Sequence, residues 1–345
     1  MQKGWSIFFG VVLMATFLIW FAAPFFGWWL PENVSTFGGG VDNLFYAILG
    51  LTTFFFVLTE VVLVYGMWKF TGRTGEKVTY THGNHVLEVV WTAIPAALLL
   101  GIAVVQIGVW EKIKYQSRMP SPDVTVGVLA RQWEWRMRYP LDNSTFEYDP
   151  ADEKAKAAAH LKGRMWAENA NIDDVHATNE LHSYKNANTK VWLRTLDVLH
   201  SLTMPNLRLK QDTLPGKTIP MWFNAEKANC RFVVRDRASG KPVALTFDRE
   251  TKQVKADGEP LEAKVATLKG DLETSGHKQD AWEIACQELC GGRHYAMRGR
   301  LYIHEDARSY YAWLQFSRGA QKARSIEAAV SQANSVCHAS LKRER

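Results

Sequence analysis

The chain has 345 residues, with 41 Lys and Arg against 35 Asp and Glu for a net charge of +6, and four cysteines. Four cysteines are too few for a disulfide scaffold, and the sequence has no C-x-x-C-H motif for covalent haem attachment. Apolar residues dominate as far as about Trp110, whereas the chain from Lys112 onward has ordinary polarity. This split predicts a membrane part followed by a soluble part.

Three apolar stretches reach or approach the roughly 20 residues that a bilayer-spanning helix needs. They are Trp5 to Leu30, Leu44 to Trp68 and Val89 to Trp110. The second and third are expected to form a transmembrane helical hairpin within residues 31–111. The first, within residues 1–30, starts like a signal peptide at Lys3, but no clear small-x-small cleavage site follows it. We expect a retained extra helix there, with a cleaved signal segment as the alternative.

Loop charges predict the orientation of the hairpin. Residues 69–86 contain three basic side chains against one acidic side chain, whereas residues 31–42 contain no Lys or Arg. Cytoplasmic loops carry the excess of Lys and Arg. The loop 69–86 is therefore predicted to be cytoplasmic, and the soluble part to lie on the periplasmic or outer side of a bacterial-type inner membrane.

The soluble part reads as a series of short strands with turns between them. Apolar residues alternate with polar ones in Asp123–Ala130, Lys190–Leu199, Leu209–Phe223 (broken at Pro215-Gly216), Trp282–Ala285 and Gly299–His304. This pattern predicts an all-β sandwich over residues 112–304. Polar segments at about 150–186 and 227–281 are expected to be surface insertions. Residues 305–345 are expected to form a basic C-terminal tail with an amphipathic helical pattern from Ala307.

A compact group of soft and borderline metal ligands stands near the end of the predicted sandwich: Cys286, Cys290, His294 and Met297. Thiolates and thioethers select copper, and imidazole also suits copper. A second thiolate allows two sulfurs to bridge two copper ions, which favours electron relay over bond-making chemistry. This loop supplies one histidine, and His200 is the best candidate for the second.

Two other interpretations of this group stay open from the residues alone. Cys286 and Cys290 could form a disulfide in an oxidising compartment, and two Cys with two His could hold a structural zinc ion. A zinc ion would leave Met297 without a role. Cys230 and Cys337 have no partner motif and are expected to be ordinary buried or surface thiols.

Five separate motifs stand in the chain in this order: Asn84-x-x-Leu87-Glu88-x-x-Trp91-Thr92-x-x-Pro95; Gln132-Trp133-x-Trp135; Asp197-Val-x-His200-Ser201; Lys210-x-Asp212-x-x-Pro215-Gly216; and Cys286-x-Glu288-Leu-Cys290-Gly-x-x-His294-x-x-Met297-Arg-Gly299. Together they resemble subunit II of the haem-copper cytochrome c oxidases, over nearly the whole chain outside the two polar segments. The resemblance implies a cupredoxin-like copper domain behind the helical hairpin.

The resemblance also implies roles for single residues. The side chains that match the ligands of a dinuclear copper centre of the CuA type are His200, Cys286, Cys290, His294 and Met297. Glu288 matches the residue whose backbone carbonyl completes that centre and whose carboxylate reaches a magnesium ion shared with subunit I. Trp133 matches the aromatic residue at which the electron from cytochrome c enters. Glu88 matches a carboxylate near the entrance of a proton path into subunit I.

The implied function is the electron-accepting subunit of a respiratory cytochrome c oxidase. It would take electrons from cytochrome c or a similar donor and pass them to haem in subunit I, where oxygen is reduced and protons are pumped. The implied partners are subunits I and III and membrane lipid, and no nucleic acid is expected. The alternatives are the copper subunit of a related nitric oxide reductase and a non-catalytic membrane-anchored copper protein.

Two features depart from the family pattern. Many relatives use carboxylates to dock a basic cytochrome c, whereas Arg131 to Arg138 carries three Arg and only Glu134, so a different donor is one interpretation. Glu60 lies inside the second apolar stretch, where an ionisable group is a functional suspect, and we expect it to pair with a neighbouring subunit.

Overall fold

The computed structural model describes residues 2–70, 83–140, 174–274 and 282–341, with side chains described as far as residue 325. The chain divides into two compact units. The first comprises Met1–Glu32 and Phe37–Tyr115, and the second comprises Asn33–Thr36 and Gln116–Arg345. The predicted basic loop residues 71–82, residues 141–173 (which include most of the first polar segment), residues 275–281 and the side chain of Cys337 lie outside the described part.

The first unit consists of three helices: α1 (Gln2–Ala22), α2 (Gly38–Lys69) and α3 (His85–Lys114). Each contains a stretch long and apolar enough to cross a membrane. Helix α1 packs on α2, because the Ser6 hydroxyl donates to the Val64 carbonyl at 3.1 Å and Gly10 lies against the Val64 side chain. The predicted hairpin with an extra N-terminal helix is therefore confirmed. Whether α1 is cleaved stays a prediction.

Helix α3 begins at a well-formed cap. The Asn84 side-chain oxygen accepts from the backbone N–H groups of Val86 and Leu87 at 3.0 and 3.2 Å. Such a cap satisfies two of the four N–H groups that a helix leaves unpaired at its start. Glu88 follows in the first turn and Lys112 and Lys114 stand in the last turn, each at the end of the helix dipole that favours its charge.

The second unit is a β-sandwich followed by one helix. Its strands are β1 (Val124–Arg131), β2 (Glu134–Tyr139), β3 (Val175–Thr178), β4 (Glu180–Tyr184), β5 (Thr189–Thr195), β6 (His200–Met204), β7 (Leu209–Thr213), β8 (Ile219–Phe223), β9 (Cys230–Asp236), β10 (Leu245–Phe247), β11 (Val254–Ala256), β12 (Glu259–Pro260), β13 (Leu268–Thr274), β14 (Trp282–Cys286) and β15 (Arg298–His304). The helix is α4 (Ala307–Leu341), which begins where the amphipathic pattern begins. The predicted sandwich is confirmed.

The strands form two main sheets and one small sheet. The first main sheet has the order β3-β2-β1-β5-β8, and the second has the order β13-β9-β15-β14-β6-β7, with β4 also pairing with β15. A separate small sheet has the order β10-β11-β12. Val126, Trp135 and Leu193 of the first main sheet and Leu202 and Ile284 of the second are fully buried, so the apolar faces of both sheets form the core.

The first polar segment differs from the expected surface insertion. Its described end forms β3, which pairs with β2, and β4, which pairs with β15. Leu181, His182 and Ser183 of β4 are fully buried. The polar residues of this strand concealed it. Inside the core, His182 Nδ1 contacts His304 Nε2 and the Ser183 hydroxyl contacts the Thr189 hydroxyl.

The second polar segment and the tail also differ from what we expected. Strands β9 and β13 extend the second main sheet, and Val254 and Leu261 of the small-sheet region are buried. Helix α4 buries Tyr310 and Trp313 in its first turns. Charged residues such as the Arg231–Glu273 pair face solvent on these strands, which hid their alternation in the sequence.

The expected hairpin segment contains one further difference. Residues 33–36 pair with the β unit: the Val34 N–H donates to the Asn206 carbonyl at 2.9 Å, and the Glu226 N–H donates to the Val34 carbonyl at 2.8 Å. Ser35 also forms a bridge with Ala225. This short piece of the connection between α1 and α2 is thus part of the sandwich.

Candidate metal centre

Two neighbouring strands deliver the first two candidate ligands. His200 is the first residue of β6, and Cys286 is the last residue of β14. The strands pair antiparallel with Cys286 opposite Leu202, so the register places the thiol near the histidine. His200 therefore starts a strand of its own, whereas the sequence pattern places it directly after the run that forms β5. That strand ends at Thr195.

All five candidate side-chain ligands converge at this end of the sandwich. The Cys286 sulfur lies 3.9 Å from His200 Nδ1 and 3.9 Å from the Cys290 sulfur. The Cys290 sulfur lies 3.4 Å from His294 Nδ1 and 3.8 Å from the Met297 sulfur. The Glu288 backbone carbonyl lies 3.3 Å from the Cys286 sulfur.

The two thiols are not bonded to each other. A disulfide bond is about 2.05 Å long, so a sulfur–sulfur distance of 3.9 Å leaves both cysteines free. Cys230 is a third free thiol, buried in β9 and outside this group. Cys286 and Cys290 therefore do not form a disulfide in this structure.

The loop between the two cysteines and Met297 is closed by backbone hydrogen bonds. The Cys286 N–H donates to the Met297 carbonyl at 3.1 Å, and the Gln287 N–H donates to the Ser201 carbonyl at 3.1 Å. Gly291 has a φ of +118°, and a Cβ there would lie 2.9 Å from the Gln132 side-chain nitrogen. Only glycine fits this position without displacing the β1–β2 turn.

The thiols differ in their readiness to ionise. Burial raises the pKa of Cys286, but hydrogen bonds from His200 and from backbone N–H groups outweigh it and lower that pKa to about 6. Burial, together with the charge on Cys286, raises the pKa of Cys290 to about 12. Cys286 is thus the more acidic of the two thiols, and both would be deprotonated on binding a metal ion.

Asp197 holds His200 from its other nitrogen. Its carboxylate lies 2.9 Å from His200 Nε2, which leaves Nδ1 turned to the Cys286 sulfur. Burial lowers the pKa of His200, but Cys286 and Asp197 outweigh burial and raise that pKa. A carboxylate behind a metal-binding histidine fixes the ring orientation, a common arrangement at metal sites.

The tryptophan motif reaches the same loop. Gln132 donates through its side chain to the Cys290 carbonyl at 2.7 Å and through its backbone N–H to Asp197 at 2.8 Å. The half-buried Trp133 lies so close to Gly291 that a Cβ on that glycine would be 3.3 Å from the indole ring. Trp135 is fully buried and meets His200 edge-to-face at 6.1 Å. The motif therefore supplies one contact near the surface and one contact in the core.

The donor set fits soft metal ions. The Nδ1 atom of His200 and the sulfurs of Cys286 and Cys290 lie within 4.8 Å of one another, and all three residues are buried. His294 and the fully buried Met297 add two donors on the Cys290 side. Five side chains and one carbonyl exceed the four ligands of a structural zinc ion, and soft sulfurs together with imidazole suit copper.

The remaining predicted residues lie elsewhere. Glu88 stands in the first turn of α3, half exposed, with its carboxylate 3.2 Å from His85 Nδ1. Glu60 lies half-buried in α2. Neither the proton-path role of Glu88 nor the pairing of Glu60 is tested by these contacts, and both stay predictions.

Asp197 and Gln132 position the site but were not predicted as site residues, although both belong to the sequence motifs. Asp197 precedes His200 by three residues and Gln132 precedes Trp133, and the structure shows both hydrogen-bonded to the ligand-bearing segments. The sequence signal was their adjacency to a ligand and to the aromatic residue. The hydrogen bond from Gln132 to Asp197 joins residues 65 positions apart, and the one from Gln132 to the Cys290 carbonyl joins residues 158 positions apart. No local sequence pattern reveals such contacts.

Two models of one protein family match the chain. The family model described as Cytochrome C oxidase subunit II, transmembrane domain, matches residues 25–109, and the one described as Cytochrome C oxidase subunit II, periplasmic domain, matches residues 124–236. Trp133 and His200 lie within the second range. The cysteine loop follows that range in the chain, after strands β10 to β13.

Curated relatives match over longer stretches. The chain is 25% identical over 310 residues to "Alternative cytochrome c oxidase subunit 2" of Bradyrhizobium diazoefficiens, covering 89% of this chain and 87% of that protein. It is 26% identical over 200 residues to "Cytochrome c oxidase subunit 2" of Cereibacter sphaeroides, covering 56% of this chain and 64% of that protein. Among solved structures, the periplasmic domain of subunit II of cytochrome oxidase of Bradyrhizobium japonicum has 16% identity and a TM-score of 0.33, covering 58% of this chain and 96% of that one.

Proposed function

Because the chain belongs to the cytochrome c oxidase subunit II family, we propose that it is the electron-accepting subunit of a respiratory cytochrome c oxidase. It takes electrons from cytochrome c or a similar donor and delivers them to haem in subunit I, where oxygen is reduced and protons are pumped. The observation that carries the proposal is the convergence of two free thiols, two histidines and a methionine at one end of the sandwich.

The residues that would hold two copper ions are His200, Cys286, Cys290, His294, Met297 and the carbonyl of Glu288. When bound, the copper pair supplies a one-electron acceptor whose charge is shared between two metals. The chain keeps the ligand geometry rigid, because the loop is closed at both ends by backbone hydrogen bonds and His200 is held by Asp197. A rigid ligand set keeps the structural change on electron transfer small.

The indole of Trp133 provides the contact between donor and centre. It lies on the backbone of Gly291, inside the ligand loop, while its hairpin is tied to the Cys290 carbonyl through Gln132. This gives a short, packed route from the protein surface to a ligand residue. The role of Trp133 as the point of electron acceptance rests on this contact and on the family motif.

The surroundings fit a membrane complex. The loop charges predict that the connection between α1 and α2 and the copper domain share one face of a membrane. We place that face in the periplasm of a bacterial-type inner membrane. Subunits I and III and lipid are the proposed neighbours of the apolar helices. The Glu288 carboxylate is proposed to reach a magnesium ion shared with subunit I, and Glu88 to stand at the entrance of a proton path.

The first experiment isolates the complex that contains this chain, through an affinity tag on its C-terminus, and offers it reduced cytochrome c with either oxygen or nitric oxide. The proposal predicts a co-purifying haem subunit and consumption of oxygen. Consumption of nitric oxide alone would identify a nitric oxide reductase. A chain that purifies without any haem subunit would be the non-catalytic copper protein.

A second experiment addresses the electron-accepting role directly. In the complex, Trp133→Ala is expected to slow oxidation of cytochrome c at least about tenfold while copper content stays unchanged, because the packed contact is lost. Trp222→Ala, on the edge strand β8, is the matched control and should leave the rate unchanged. Equal rates in both variants would remove the role of Trp133.

A further inference from the structure

The protein surface around Trp133 is basic. We define the port surface as Arg131, Trp133, Glu134 and Arg136 of the β1–β2 hairpin together with Arg293 of the ligand loop. One Glu134 carboxylate oxygen accepts from Nε of Arg131 at 2.6 Å and from Nε of Arg136 at 2.7 Å. One carboxylate therefore serves two guanidinium groups, and the hairpin tip keeps a net positive charge.

The exposed parts of these groups are the basic ones. The side chains of Arg131 and Arg136 are 37% and 46% exposed, against 26% for Glu134. Burial raises the pKa of Glu134, but the two arginines outweigh it and lower that pKa, so the carboxylate is charged and fully engaged. Arg293 is exposed and follows Gly291, on which Trp133 lies, by two residues.

Two carboxylates near the ligand loop already have partners, and a third is half-buried. Asp197 accepts from the backbone N–H groups of Gln132 and Val198 and lies beside His200. Glu283 forms an ion pair with Arg298 at 3.3 Å. Glu288 is the remaining carboxylate of the ligand loop, and it is half-buried. None of these groups offers the exposed carboxylate ring that a basic donor requires.

An apolar contact lies beside the basic groups. Leu289 and Tyr295, which adjoin ligands in the same loop, are 80% and 76% exposed. Exposed apolar side chains next to charged ones are typical of docking surfaces, where the apolar part makes contact and the charges guide the approach.

We propose that the port surface docks an acidic electron donor, a small redox protein with Asp and Glu side chains around the exposed edge of its cofactor. The proposal rests on the proposed function, because it names the partner of the same electron-accepting site. Opposite charges raise the rate of encounter about 10- to 1,000-fold at low salt, whereas like charges suppress it. A basic cytochrome c would meet three arginines at this surface.

The test uses the full complex and two donors that differ only in charge. One is a monohaem cytochrome c with lysines around its haem edge, and the other is the same protein with those lysines replaced by glutamate. Binding is measured by surface plasmon resonance and reduction of the complex by stopped flow. Both are recorded at ionic strengths of about 0.01 M and about 0.15 M, where charge effects extend about 30 Å and 8 Å.

We expect the glutamate donor to bind and react at least about tenfold faster at low salt, with most of the advantage lost at high salt. Arg136→Glu should slow the glutamate donor and speed the lysine donor. Lys255→Glu, in the separate small sheet, is the matched charge reversal and should change neither. The binding data keep the test independent of turnover.

Each other outcome has a defined meaning. Faster reaction with the lysine donor overturns the proposal but leaves the electron-accepting role intact. It would assign docking to other charges, such as those of residues 141–173, which have seven acidic and four basic side chains and lie outside the described part. Equal, salt-independent rates also overturn the proposal. If neither donor reduces the complex although dithionite does, the proposed function itself fails.

Discussion

Two clusters in the same sandwich contain buried histidine, and they have opposite chemistry. His200, at the ligand loop, is 0% exposed, and so is His304 in the core beneath α4, where His182 is 1% exposed. His182 Nδ1 lies 3.1 Å from His304 Nε2, and His304 Nδ1 lies 2.9 Å from the Ser309 hydroxyl. His182 also stacks on Trp313 with ring centroids 3.7 Å apart.

The buried histidines of the two clusters differ in pKa because of their neighbouring groups, and not because of burial. His200 lies between a carboxylate and an ionisable thiol, which raise its pKa against the effect of burial. Burial lowers the pKa of His182, and a distant Glu180 at 3.7 Å only partly offsets it. Burial and the neighbouring His182 hold the pKa of His304 well below its usual range. Anionic and soft neighbours indicate a metal site, whereas aromatic and hydroxyl neighbours indicate a structural core.

The largest effect is expected at the ligand loop. Cys286→Ser removes one bridging thiolate and should abolish the two-copper content of the purified full chain, since serine is a poor ligand for copper. Metal analysis of the purified protein measures the loss. Cys230→Ala removes a buried thiol outside the group and should keep full copper content. Copper retained in the first variant would contradict the ligand assignment.

Next in size is a change in the other cluster. His182→Phe keeps the ring packed against Trp313 but leaves His304 Nε2 without its hydrogen-bond partner. An unsatisfied buried polar group costs about 1–3 kcal/mol, so the melting temperature of the copper-loaded chain should fall while copper content stays unchanged. Thermal unfolding followed by circular dichroism measures it. Loss of copper without loss of stability would reverse the distinction between the clusters.

Two adjacent glycines of the ligand loop, Gly291 and Gly292, provide a test of its rigidity. Gly291→Ala forces a side chain into a backbone region with positive φ and towards Gln132, at a cost of about 1–3 kcal/mol. The resulting displacement of the ligand loop should change the copper hyperfine splitting in electron paramagnetic resonance. Gly292→Ala, where a Cβ meets nothing within 4 Å, is the control and should leave the spectrum unchanged. Identical spectra for the two variants would argue against a rigid loop.

A further expected effect is a pH dependence of the free energy of unfolding that comes from the core cluster. Burial keeps His182 and His304 neutral in the folded protein, whereas in the unfolded chain they bind protons below about pH 6.5. Acid therefore favours unfolding, and stability should fall below about pH 6.5 by up to about 1.4 kcal/mol per pH unit for each histidine.

Melting temperatures of the copper-loaded chain between about pH 5 and pH 7.5 test this sign. The His182→Phe variant should show a shallower fall, because one of the two groups is gone. Stability that rises on acidification would show that the histidines are charged in the folded state.

Much of the site could be predicted because its residues are close in sequence. Cys286, Cys290, His294 and Met297 lie within twelve consecutive positions, and soft ligands at such spacing leave few chemical alternatives. His200 could be named as a candidate, but its approach to Cys286 depends on the pairing of β6 with β14 across 86 residues, which the sequence does not reveal. Asp197 stands three residues before His200, yet its hydrogen bond to the ring was not predicted.

The fold was predictable where the sequence has a long apolar run or apolar residues at alternate positions. Helices α1–α3 contain such runs, and β1, β5, β7, β8, β14 and β15 contain such alternation. Strand β4 lacks such alternation, since His182 and Ser183 are polar residues that lie in the core. Strands β9 and β13 were missed because their charged residues pair across the strands and mask the alternation.

The most direct test of the account is the copper content and the electron paramagnetic resonance spectrum of the full chain, purified in detergent and loaded with copper. The account predicts two copper ions per chain and a mixed-valence spectrum in which one unpaired electron is shared by both. A single copper ion with an ordinary mononuclear spectrum, or a site that takes up zinc alone, would contradict it.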